Sequence, residues 1–199
     1  MSKEVVSYML SGMDNMKSLQ VQLILQCAPF LKGIKIACIL NITEENSREL
    51  YEISEGTGIK FKILTRNHGK CLVFLYRRES FSRYLKRTDV REFLGSYGYE
   101  NVEPEKMLER LSKRVCQYSD GEICFPHEIG AFLDYPIDDV KCFIEKDGKD
   151  SLFSGYWKVY NNPGRAKMIF WAYDKAKTSA VNEYLIGKSI RDIAYVAAC

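Results

Sequence analysis

Histidine, acidic and aromatic side chains gather in one stretch of the chain, residues 125–160. In FPHEIG, at 125–130, Pro126 suits the first turn of a helix and sets His127 and Glu128 at its amino end. Unpaired backbone N–H groups and the helix dipole there favour an anion. A histidine so placed can bind phosphate or carboxylate, or act as acid or base with Glu128 beside it. The plainer assignment is that Glu128 caps its own helix while His127 makes a structural hydrogen bond. Further on, GYWKVY at 155–160 alternates as a strand, with Trp157 and Val159 on one face and Tyr156, Lys158 and Tyr160 on the other. Two tyrosines flanking an ammonium could line a pocket for an anionic or planar ligand, although a solvated face with snorkelling side chains reads the same way. If this strand lies beside the helix begun at Pro126, Lys158 and His127 converge on one anionic group.

The thiols are weaker candidates. Cys27 precedes Ala-Pro at an expected helix end, where the field opposes thiolate formation; pairing with His127 would make it a nucleophile, and packing in the core is the alternative. Cys124 and His127 form a C-x-x-H pair able to chelate a metal at two positions, but a four-ligand site would need Cys116 or Cys142 at irregular spacing. Asp138 and Asp139 fall in the first turn of a helix behind Pro136, where capping and the dipole account for them.

Periodicity gives the helices and strands that carry these groups. One or two helices over about 2–28, with Asp14 as an N-cap and Met16, Leu19, Leu23 and Cys27 on one face, should stop at Pro29. A strand follows at 34–42, presenting Ile34, Ile36, Cys38 and Leu40 on one side, and a helix at 46–54 closes on Gly56 and Gly58. Strands at 59–64 and 71–76 flank the turn Arg66-Asn67-His68-Gly69 as a hairpin. Short helices near 80–86 and 88–95, a longer one from Pro104 to about 116, and a C-terminal helix at about 165–184 complete the series. This order predicts an α/β or α+β fold, a small mixed β-sheet covered by helices, in a single domain over 1–199.

Composition narrows the function classes. A net charge of +3 and a basic run at Arg77, Arg78, Arg83, Lys86 and Arg87 that is diluted by Glu79, Asp89 and Glu92 argue against nucleic acid as partner. Seven cysteines without paired spacing, behind a start that lacks a secretory pattern, imply reduced cytoplasmic thiols. No run reaches the ~20 apolar residues of a membrane span. Nucleotide-binding and hydrolase fingerprints are absent, so the sequence names no cofactor.

The stretch FPHEIGAFLDYPIDDVKCFIEKDG…GYWKVY, together with Cys27-Ala28-Pro29 followed by Leu31, Gly33, Ile34 and Lys35, resembles an uncharacterised bacterial family classed as a domain of unknown function. Asp134 and Cys142 stand where that resemblance implies small glycines. It implies a fold boundary and no chemistry. The best expectation is a cytoplasmic protein holding a small anionic ligand, or a partner protein, near His127, Glu128, Tyr156, Lys158 and Tyr160. Alternatives are an enzyme using His127 with Glu128 or Cys27, and a protein-interaction module presenting Phe170, Trp171 or Tyr173 of the final helix. Oligomeric state is beyond the sequence.

Overall fold

The structure is a computed structural model, and residues 15–100 and 103–194 are described. Its elements in chain order are α1 (Asn15–Leu31), β1 (Ala37–Thr43), α2 (Asn46–Ser54), β2 (Lys60–Asn67), β3 (Lys70–Tyr76), α3 (Arg78–Leu85), α4 (Thr88–Gly95), α5 (Pro104–Ser119), α6 (Ile129–Phe132), α7 (Ile137–Glu145), β4 (Phe153–Ser154), β5 (Lys158–Val159), α8 (Pro163–Leu185) and α9 (Ile190–Ile193). The expected α/β class is what the protein has: a three-stranded sheet, order β1-β3-β2, lies between helices, and both of its pairings are antiparallel. The hairpin turns at His68 and Gly69, both with positive φ (48° and 72°), which matches the strands' twist.

Strand alternation divides the core in two. Cys38, Leu40 and Ile42 of β1, with Cys71, Val73 and Leu75 of β3, face a core closed by α1, α2, α9 and the carboxyl-terminal part of α8. Ala37, Phe74 and Tyr76 face a second core, shared with α3, α4, α5, α6 and α7. The ribbon β4–β5 and the first half of α8 form a smaller aromatic cluster beside it, built on Trp157, Val159, Ala166 and Tyr173. Among the described residues no helix is long and apolar enough to cross a membrane.

Three local expectations are corrected. Helix α1 runs through Pro29 to Leu31, because the missing N–H costs one bond near the helix end while Phe30 and Leu31 are held in the core. The Pro29 carbonyl then accepts from the N–H groups of Ile34 and Lys35 (2.9 and 3.0 Å), so the chain is still turning there and β1 begins only at Ala37; Ile34 is 47% exposed. The helix expected from Pro126 is one turn long and starts at Ile129. The proposed N-cap Asp14 lies outside the described residues, and the side chain of Met16 is not described.

Candidate functional site

A cavity of about 200 Å³ opens between α6, α7 and β5, lined by the rings of Phe125, His127, Tyr135, Phe143 and Trp157 and by Ile129, Leu133, Val140 and the Lys158 stem. Its walls are almost wholly apolar. Each wall follows from a local device. Helix α6 ends in a Schellman motif: Tyr135 N–H returns to Gly130 O and Asp134 N–H to Ala131 O, both 3.1 Å, with Asp134 at φ 62°. That reversal swings Tyr135 over the cavity, where it stacks on Trp157 with ring centroids 5.5 Å apart. Asp134 thus occupies a left-handed position that glycine fills most easily. Gly130 permits the closeness of α6 and α7, since a Cβ there would lie 3.1 Å from Val140 Cγ2. Cys142, the other non-glycine position, sits in α7 with its Sγ 3.5 Å from Asn161 Nδ2.

Asp139, 2% exposed, fixes the opposite wall. Its carboxylate accepts from Trp157 Nε1 (2.7 Å), Tyr160 N (3.0 Å), Asn161 N (2.7 Å) and Asn161 Nδ2 (3.2 Å). Four donors thus satisfy a carboxylate that burial would otherwise leave short of partners. The sequence reading, which saw only a first-turn acid, missed this role. Gly155 completes the ribbon, for a Cβ would fall 2.1 Å from Phe170 Cε2.

His127 and Lys158 both line this cavity. The His127 ring centroid is 5.0 Å from that of Phe143, and Lys158 Nζ lies 5.7 Å from the same centroid, so the two basic groups are within about 11 Å of each other. Lys158 Nζ donates to Gly148 O (2.6 Å), a neutral acceptor at the φ 68° turn after α7, which leaves two of its three donors. Among the described residues Lys158 forms no ion pair, and the His127 ring makes no hydrogen bond, so the structural bond considered for it is not found.

The other sequence candidates go elsewhere. Glu128 is 1% exposed and accepts from Arg114 Nε and from Tyr99 Oη (3.1 Å); it stands at the N-cap position of α6 but its side chain makes no capping bond, and it does not line the cavity. Burial, then the Glu128 charge, raises the Tyr99 phenol above its ordinary range. Tyr156 turns toward α8, donating to Asp174 Oδ1 (2.9 Å). Tyr160 is buried rather than on an open face, because β5 ends at Val159 and the alternation ends with it. Cys27 packs in the first core, 1% exposed, in the same cluster as Cys38, whose thiol burial pushes well up, the setting of packing rather than reactive cysteines. It is not at the cavity with His127. Cys124 is exposed, Cys116 reaches toward Leu64 O (3.4 Å), and among the described residues no three His, Cys, Asp or Glu gather as metal ligands. Of Phe170, Trp171 and Tyr173, only Trp171 is exposed.

A second groove of about 410 Å³ shares Tyr135 and Trp157 as a wall. Its basic residues Arg87, Lys141 and Arg165 are matched there by Asp89, Glu92, Asp134 and Asp138. Burial raises the Asp134 carboxyl, against the pull of Lys35, Arg87 and Arg165.

No curated protein and no solved structure matches the chain. A family model does, over residues 23–194, a span that takes in α6, α7, the ribbon and both walls of the cavity; the chain belongs to the protein family of unknown function DUF3793.

Proposed function

We propose that this protein binds a small anionic ligand in the aromatic cavity, with Lys158 and His127 as the groups that receive its charge. The observation that carries the reading is that two basic side chains pack on one ring, Phe143, at the rim of one apolar cavity, with no carboxylate paired to either among the described residues. An uncompensated ammonium beside low-dielectric walls attracts an anion more strongly than one in open solvent. The Gly148 carbonyl supports this by holding Nζ in place before a ligand arrives. Helix α6 is too short to contribute a useful dipole, so the charge rests on the side chains. Acid–base catalysis has less support, since neither Glu128 nor Cys27 lines the cavity with His127. A protein partner is the second reading, favoured by Met168 and Trp171, 72% and 64% exposed one turn apart on α8.

The reading includes a cytoplasmic setting, supported by six described cysteines that are all free thiols. Bacterial origin rests on the resemblance of the signature. Thermal melting with a panel of small carboxylates tests the ligand proposal. Ligands should raise Tm of the wild type and leave the double variant Lys158→Met/His127→Gln unmoved; an equal rise in both removes those residues from the site.

A further inference from the structure

The cavity also constrains the body of the ligand, an inference that rests on the anion-binding reading above. Its volume, about 200 Å³, is below the roughly 300 Å³ at which pockets for drug-sized molecules begin. It is somewhat above the ~150 Å³ at which an apolar protein cavity accepts a benzene ring. That volume matches one six-membered ring with a short polar arm more closely than two fused rings. The walls fit that occupant. Phe125, His127 and Phe143 follow one another with centroids 5.2 and 5.0 Å apart, tilted at 59° in both contacts, while Tyr135 stacks on Trp157 at 29°. These two runs of rings line the same space, and a further ring between them gains edge-to-face and offset contacts that an aliphatic group of equal size does not.

Charge sets the orientation. Asp139 lines the cavity but its oxygens are taken up by four donors, so it has little left to offer a ligand and repels a carboxylate. The His127 and Lys158 rim attracts one. We infer that the ligand is a monocyclic aromatic carboxylate of benzoate or phenylacetate size, its ring between the two aromatic walls and its carboxylate at Lys158 and His127.

Titrating the wild-type chain with four probes, while following the Trp157 indole N–H by NMR, tests both layers separately. Benzoate should shift that resonance saturably. Acetate, benzyl alcohol and 1-naphthoate should each bind at least about tenfold more weakly, the worth of one lost charge contact or of a ring that does not fit. Acetate binding as well as benzoate overturns the ring requirement and leaves the anion reading standing. Benzyl alcohol equal to benzoate overturns the anion reading and keeps the ring. Naphthoate equal to benzoate overturns the size limit, and silence from all four overturns both layers. Lys158→Met, an exposed position whose change leaves the cores intact, should weaken benzoate about tenfold while benzyl alcohol is unaffected.

Discussion

Asp139 and Trp157, 18 residues apart in sequence, are joined by a 2.7 Å hydrogen bond from the indole Nε1 to the carboxylate Oδ2. The bond ties helix α7 to the loop entering β5 and holds the largest ring of the cavity edge-on to the carboxylate that also anchors Tyr160 and Asn161. The two halves of the 125–160 signature are therefore one structural unit.

Replacing Asp139 with alanine should destabilise the protein by about 3 kcal/mol or more, because several buried donors lose a charged acceptor at once. Urea unfolding measures this. Asp139→Asn should cost less, since its remaining carbonyl still receives a bond. A double-mutant cycle of Asp139→Asn with Trp157→Phe should return a coupling of about 0.5–3 kcal/mol. A coupling near zero means the indole bond is not part of what holds the ribbon.

Asp134→Gly should stabilise the fold by up to about 1 kcal/mol, as glycine relieves the left-handed backbone at the end of α6. The gain should also depend on pH. Burial raises the Asp134 carboxyl in the folded state, so ionisation there penalises folding, and stability falls as pH rises through the unfolded and then the folded value. The variant's advantage should thus be larger at pH 7 than at pH 3. An advantage that grows on acidification contradicts the assignment.

Glu183 on α8 pairs with Lys32 beyond the end of α1, and Ser179 and Lys188 add hydrogen bonds. The Lys32 bond, followed by that of Ser179, pulls its carboxyl down to about 2 from an ordinary 4.5. A depressed acid stabilises the fold above its unfolded pKa, and the contribution is lost as pH falls through that value toward the folded one. Melting temperature should therefore drop between about pH 5 and 2. Glu183→Gln should start lower at pH 7 and show a shallower acid limb. An unchanged limb would assign the acid loss to other carboxylates.

Much of the fold was legible because it is local. The helix at 46–54, the His68-Gly69 turn, the strands on either side of it and the long C-terminal helix each follow from periodicity and from residues within a few positions. Pro29 misled for a long-range reason: the burial of Phe30 and Leu31 outweighs the local cost of proline. Tyr160 misled because two-residue strands carry no face beyond their own length. Glu128 is claimed by Arg114 and Tyr99, which lie on and before α5, and no spacing within FPHEIG reveals them.

The α/β class, the run of helices and strands, and the concentration of aromatic and basic residues at 125–160 can be read from the chain without its fold. Those depend on side-chain period, proline, glycine and turn chemistry, which act over a few residues. Packing across the fold is what sets His127 and Lys158 against the Phe143 ring, turns Glu128 and Cys27 away from them, and commits the Asp139 carboxylate to Trp157, Tyr160 and Asn161. Such choices rest on which buried polar groups find partners across the fold, and a buried donor or carboxylate accepts whichever partner packing brings within about 3 Å, however far it lies along the chain.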